Sequence, residues 1–437
     1  MKTLNVLHFL RRFAAVLLPA LVAACGGGGD GPSGTAPTIS NLTVSPQAAY
    51  NTTDPLYFSS QFDFFDPDAN VSTLTLRVRD ESDGSVVDLG TDPIAGIAGM
   101  ASGTVLGQFI ASGVAPGTYT VLINVTDSTS QVSNVLGAPV RIAAYPWTSR
   151  LAGPTPREYA AAAVLDGKVY VAGGQLTNTT TTPGPATDLL EIYDPAANTW
   201  SAGPPMPTAR MGLTLTAYNG KLYAIGGRTD GFTTSAVGTV AEYNPGTGLW
   251  TARNSMPTPR FHAAAAPAST PYGDLIVVAG GEFEVSVLDT VQGYNPITNA
   301  WVTLAPMPSA RGRLALGSVG GRLYAVGGYA GTLAQWVGTV EEYDPQLGSW
   351  ATKTPMPTPR AHLALAVING QLLAAGGENV NRSLDVLESY DPVLNGWRSK
   401  TPSTTAFTRA AGAVVNDRMQ VFGNTLTLQY DPSNEIR

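Results

Sequence analysis

The sequence predicts an all-β chain, and three observations carry that prediction. Only 13% of its 437 residues are charged, about half the share usual in globular chains. Its 48 Gly and 33 Pro together exceed the ordinary share of about 12%, which implies short elements and many turns. Thr and Val are plentiful, and short runs of alternating polar and apolar residues sit between turn signals, the period-2 signature of strands. With 43% apolar residues there is material for one large core or two smaller ones. The net charge of −7 argues against a dedicated nucleic-acid binder, which would be basic. One Cys excludes a disulfide framework, a zinc ribbon and an iron–sulfur cluster.

The first residues read as an address. Lys2, Arg11 and Arg12 precede a twelve-residue apolar run from Phe13 to Ala24. That run is shorter than the roughly 20 residues of a membrane span and suits a secretory signal over residues 1–24. It ends Leu21-Val22-Ala23-Ala24-Cys25, which resembles the lipobox of bacterial lipoproteins. The resemblance implies cleavage before Cys25 and acylation of its thiol. It further implies a lipid anchor in the bacterial cell envelope, at the outer membrane because Gly26 rather than Asp follows the Cys. An ordinary signal peptide with an incidental Cys is the alternative. Residues 25–35 are Gly-rich and form a flexible tether. Cleavage would remove Lys2, Arg11 and Arg12 and take the net charge from −7 to −10, so lipid and not basic residues would hold the membrane.

Residues 36–144 alternate as strands, for example Leu74-Thr75-Leu76-Arg77-Val78-Arg79, with turns at short intervals, and suit a two-sheet β-sandwich. Ala115-Pro116-Gly117-Thr118-Tyr119-Thr120-Val121 resembles the late turn and strand of bacterial immunoglobulin-like and PKD-type domains. Asp63, Asp66, Asp68 and Asn70 could hold Ca²⁺ through alternating oxygens. Asp66-Pro67 equally starts a turn, and with no EF-hand loop present the turn is preferred.

The strongest signal is internal repetition. Trp147, Trp200, Trp250, Trp301, Trp350 and Trp397 recur at 47 to 53 residues, and five repeats share Tyr-(Asp/Asn)-Pro-x4-Trp. Gly pairs at 173–174, 226–227, 280–281, 327–328 and 376–377 follow apolar strands. Gly pair, Tyr and Trp on this period resemble the kelch repeat over residues 147–437. The resemblance implies a β-propeller with one four-stranded blade per repeat. The last repeat has Tyr430-Asp431-Pro432 with no Trp after it. Trp147 should therefore supply the outer strand of a sixth blade, which predicts a six-bladed kelch-type propeller over 145–437 preceded by an Ig-like β-sandwich.

An Arg stands ten residues after each of five tryptophans: Arg157, Arg210, Arg260, Arg311 and Arg360, with Phe407 breaking the series. Two residues further on come Tyr159, Gly212, His262, Arg313, His362 and Arg409. If each begins an innermost strand, both sets point the same way and crowd the mouth of the central channel. In kelch adaptors that bind acidic peptides, arginines at matching positions line the pocket, and the resemblance makes this ring the expected ligand site. Converging guanidiniums would favour carboxylate, phosphate or acidic-sugar groups. The other reading of these arginines is structural, as donors to loop carbonyls or neighbouring carboxylates. Gln175, Arg228, Glu282, Tyr329 and Glu378 follow the Gly pairs and should rim the same face, with Phe232, Phe283 and Trp336 as flat surfaces.

These features predict a lipid-anchored envelope protein that binds an acidic glycan, peptide or protein on its loop face, with no cofactor and no nucleic acid. The alternative is a periplasmic sugar-modifying enzyme, an acid–base isomerase or mutarotase using Glu282, Glu378, His262 or His362, although no local catalytic motif supports it. Copper alcohol oxidation, known among secreted kelch proteins, needs a Tyr–Cys crosslink, and the propeller segment has no Cys. A purely structural role in envelope assembly or adhesion is the third reading.

Overall fold

The computed structural model describes residues 34–51, 56–94, 97, 99–111, 114–177, 184–230, 236–331, 335–380 and 382–436. The proposed signal, Cys25, most of the tether and Phe232 lie outside the described residues. The chain divides into two units, Met1–Tyr145 with Asn434–Arg437, and Pro146–Ser433.

The first unit holds two sheets. Strands β1 (Thr38–Ser45), β3 (Leu56–Phe65) and β6 (Ser102–Ala111) form one, in the order β1-β3-β6. The other has the order β2-β8-β7-β4-β5, from β2 (Ala48–Asn51), β4 (Val71–Asp80), β5 (Val86–Pro93), β7 (Gly117–Asp127) and β8 (Leu136–Ala144). Alternation puts Phe58, Phe62 and Phe109 from one sheet against Leu74, Leu76, Val121 and Ile123 from the other in a single core. The Asp66 carboxylate accepts the backbone N–H groups of Asp68 (3.1 Å) and Asn70 (2.8 Å), the geometry of a side-chain-capped turn.

The second unit contains six four-stranded antiparallel sheets among its described residues. Blade 1 consists of Ala161–Leu165, Lys168–Ala172, Leu190–Asp194 and Thr199–Gly203, from the innermost strand outward. Blades 2 to 5 repeat that order over 214–253, 264–304, 315–353 and 364–400. Blade 6 has Ala411–Val415, Arg418–Phe422 and Thr427–Tyr430, and its outermost strand is Trp147–Ser149, in register with Tyr430 opposite Trp147. Tight turns at Asp166-Gly167, Asn219-Gly220, Gly320-Gly321 and Asn369-Gly370 join first to second strands with positive φ at both residues.

One motif holds each blade together. The repeat Tyr is 0–4% exposed in all six blades and packs on its Trp at centroid distances of 4.9–5.2 Å. Each indole N–H donates to a carbonyl of the segment entering its own blade, Trp200 to Leu151 and Trp397 to Thr354, for example. Trp147 follows the rule for blade 6, donating to Thr401 at 2.9 Å, so closure by the start of the propeller segment uses the same bond as every other blade. Between blades the apolar faces merge: Ala161, Ala172 and Leu190 of blade 1 pack with Leu215, Leu222 and Tyr243 of blade 2.

Candidate functional site: the mouth of the propeller

The segment entering each innermost strand builds a closed backbone ring. Tyr159, Gly212, His262, Arg313, His362 and Arg409, one per blade, all take left-handed φ angles of 50–62°. Gly212 donates its N–H to Tyr159 O (2.9 Å), His262 to Gly212 O (2.7 Å) and Arg313 to His262 O (2.9 Å). His362 donates to Arg313 O (2.9 Å), Arg409 to His362 O (3.2 Å), and Tyr159 to Arg409 O (3.1 Å), which completes the circle. The strands themselves start two residues later, at Ala161, Thr214, Ala264, Ala315, Ala364 and Ala411. A left-handed residue breaks the alternation of an extended strand, so the expectation that both sets of side chains point one way does not hold.

The two sets separate. Arg157, Arg210, Arg260, Arg311 and Arg360 are 0–5% exposed and lie inside the blades, not on the mouth. Arg210 donates to Gly226 O (2.8 Å) and Thr239 O (3.0 Å). Arg260 donates to Thr290 O (2.8 Å) and Gln292 Oε1 (2.9 Å). Arg311 bonds Ala325 O (3.1 Å) and Glu341 (3.0 Å), and Arg360 bonds Ala374 O (2.8 Å) and Glu388 (2.6 Å). Arg157 pairs with Glu191 and donates to Val171 O. Meanwhile the carbonyl of Arg210 accepts Gly174 N–H of the previous blade at 2.8 Å, and a Cβ at Gly173 would lie 2.4 Å from that oxygen. Arg210, Arg260, Arg311 and Arg360 therefore each join two blades, backbone to one and guanidinium to the next. Burial lowers Arg210, Arg260 and Arg311 to about 10, which leaves them cations at neutral pH. Of the two readings of these arginines, the geometry is that of internal support.

The second set forms the mouth. Tyr159, Gly212, His262, Arg313, His362 and Arg409 line a cavity of about 110 Å³. Three rings from alternate blades meet one another: Tyr159 with His262 at 5.0 Å, Tyr159 with His362 at 5.2 Å, and His262 with His362 at 4.9 Å. Gly212 makes room for this, because a Cβ there would stand 2.6 Å from His262 Cδ2. The residues after the Gly pairs reach the same place through bridges such as Phe261 with Glu282 and Ala361 with Glu378. Glu282 bonds His262 Nδ1 (3.1 Å) and the Arg313 guanidinium (2.7 Å). Glu378 bonds His362 Nδ1 (3.0 Å) and forms an ion pair with Arg409 (3.3 Å), and Glu158 accepts a hydrogen bond from Arg409 (3.1 Å). Arg313 lies over Tyr329 at 4.6 Å and Arg409 over Tyr159 at 5.2 Å. Gln175 instead turns inward to Gly184 O, and Arg228 lies over Phe261.

Burial would raise both carboxyls, but bonds from His262 and Arg313 hold Glu282 at about 2, and bonds from His362 with the charge of Arg409 do the same for Glu378. Burial outweighs the carboxylates at the imidazoles: His262 is pushed below its usual value and His362 to about 4. At neutral pH Glu282 and Glu378 are thus carboxylates and His262 and His362 neutral imidazoles, beside the guanidiniums of Arg313 and Arg409. Among the described residues, no group of three or more His, Cys, Asp or Glu is placed to hold a metal.

Comparison with known proteins places this architecture. The Kelch motif model matches residues 156–207, and the model described as KLHDC2/KLHL20/DRC7 Kelch-repeats domain matches 212–424. The repeats are kelch repeats. Kelch-like protein terF of Aspergillus terreus is 35% identical over 191 residues, covering 42% of this chain and 40% of that protein. Alpha-scruin of Limulus polyphemus is 34% identical over 164 residues, 36% of this chain and 17% of that one. The chain thus spans less than half the length of these curated relatives. A solved structure titled "Structure of YjhT" superposes with a TM-score of 0.52 at 15% identity, over 65% of this chain and 96% of that one, a likeness of fold.

Within the kelch propeller, residues that recur build the blades, and residues that differ at equivalent ring positions give the mouth its chemistry. Glu158, which answers Arg409, had no sequence signal beyond standing next to Tyr159. The His–Glu pairs were in view as separate candidates, and their pairing needed the fold.

Proposed function

We propose that this protein is a binding module of the bacterial cell envelope, held by lipid on Cys25, whose kelch propeller presents the central mouth to a glycan or peptide ligand. One observation carries the reading. Six positions that the repeat makes equivalent hold Tyr, Gly, His, Arg, His and Arg around one cavity, while the surrounding Tyr, Trp, Gly and buried Arg repeat. Concave sites with a few convergent polar groups are where ligands bind, and a kelch propeller suits a binding platform. The acidic-ligand expectation now rests on Arg313 and Arg409, each of which already faces a carboxylate. Capture of envelope glycans and peptides should fall in Arg313→Ala and Arg409→Ala, and stay at the wild-type level per folded molecule in Arg360→Ala. Equal loss in all three would remove the mouth as the site. Replacing Cys25 by Ala should move the protein from the membrane fraction to the soluble fraction; continued membrane retention would exclude the lipid anchor.

A second reading is favoured by the two carboxylate–imidazole pairs, an arrangement suited to general-base work on an acidic sugar. Anomer exchange followed by NMR tests it: turnover that disappears in Glu282→Gln or His262→Phe would make the protein an enzyme.

A further inference from the structure

We infer that the floor of the mouth recognises a ligand by the hydroxyl groups it donates, as the edge of a sugar does, and not by negative charge. This sharpens the ligand-site reading and rests on it. Glu282 and Glu378 are ionised acceptors, so the imidazole nitrogen facing each, Nδ1 of His262 and of His362, must carry the hydrogen. In a neutral ring that leaves Nε2 as a lone pair. Both Nε2 atoms are buried with no hydrogen-bond partner among the described residues, on side chains only 7% and 8% exposed.

Two fixed acceptors, on rings 4.9 Å apart by centre and beside the Tyr159 ring, are therefore left without a donor of their own. A buried acceptor left unpaired is costly, and a ligand O–H restores the bond. A carboxylate or phosphate would set its own lone pairs against these, and the guanidiniums that could offset this are already matched, Arg313 by Glu282 and Arg409 by Glu158 and Glu378. An ammonium could also donate, but the carboxylates of the wall are already paired with Arg313 and Arg409, so a buried cation would find no free counter-charge to offset its desolvation. Hydroxyl is the donor class that fits. A cavity of about 110 Å³ has room for a few waters at about 30 Å³ each, the edge of one monosaccharide and not a longer chain.

The chain has three His, of which His8 lies in the leader, so the imidazole nitrogens of His262 and His362 can be followed singly in ¹⁵N-labelled full-length protein. The probes are the methyl glycosides of glucose, galactose and mannose, with glucuronate, inorganic phosphate and ethanolamine as the charged arms. The expected result is a shift of both Nε2 signals with a neutral glycoside, little response to the charged probes, and about tenfold weaker binding in His362→Phe. Shifts with glucuronate or phosphate but no neutral glycoside would overturn the hydroxyl inference and leave the mouth as a ligand site. Shifts with ethanolamine alone would overturn it in favour of a cation. Silence of every mouth signal to all six probes would overturn both the inference and the site reading beneath it. The wild-type titration decides the matter even if the variant fails to fold.

Discussion

Arg311 and Arg313 stand two residues apart and do unlike work. Arg311 is fully buried and its guanidinium answers Glu341, so Arg311→Ala would strand a carboxylate inside blade 4. Breaking a buried pair from one side costs about 3–5 kcal/mol. Arg313 is 28% exposed in its side chain, and Glu282 keeps its bond to His262 when Arg313 is removed, so Arg313→Ala should cost less than Arg311→Ala. Urea unfolding of the two variants should separate clearly, and similar midpoints would contradict the assignment of support and mouth. Gly212 is the remaining residue test. Its φ of 62° and the 2.6 Å approach to His262 make Gly212→Ala unfavourable by about 1–2 kcal/mol and should shift the His262 imidazole signal. An unchanged signal would mean that the three rings do not meet as described.

At the scale of the element, the three-residue strand Trp147–Ser149 does for blade 6 what five-residue strands do elsewhere. It pairs with Tyr430, stacks Trp147 on that ring at 5.1 Å, and is 4% exposed at Trp147. Truncating a buried Trp to Ala costs about 3–5 kcal/mol. Trp147→Ala should therefore lower the unfolding midpoint and make blade 6 the first region cut in limited proteolysis. First cuts in blades 2 to 4 would argue that the ring is not closed through this strand.

For the whole molecule, the mouth makes stability depend on acid. Burial keeps His262 low and His362 at about 4, against about 6.5 in an unfolded chain. Below about 6.5 the unfolded chain takes up protons that the folded one refuses, so stability declines as pH falls toward 4. Glu282 and Glu378, held at about 2 against an ordinary 4.5, extend the decline from 4.5 downward. The calorimetric midpoint of the propeller should be level above pH 7 and fall below about 6.5. His362→Phe should flatten the upper part of that fall. A midpoint constant from pH 7 to pH 4 would refute neutral imidazoles in the mouth.

Reading the sequence alone was enough to find the repeat, the blade count and the closing role of Trp147. Tyr, Trp and Gly pair each act on near neighbours, and the chain states them five or six times. Among the residues after the Gly pairs, Glu282, Tyr329 and Glu378 meet mouth residues as their distance from a repeated turn implies, whereas Gln175 turns inward. The direction of the arginines was not legible. Alternation carried from Arg311 to Arg313 holds only along extended backbone, and the ring of six N–H to carbonyl bonds bends each blade into a left-handed residue whatever its type, at Tyr159, His262 and Arg313 as much as at Gly212. Closure of the propeller imposes that bend, and besides local carbonyls such as Thr358 O the guanidiniums bind carbonyls 14 to 30 residues away. Only the assembled circle decides which cations are buried and which line the mouth.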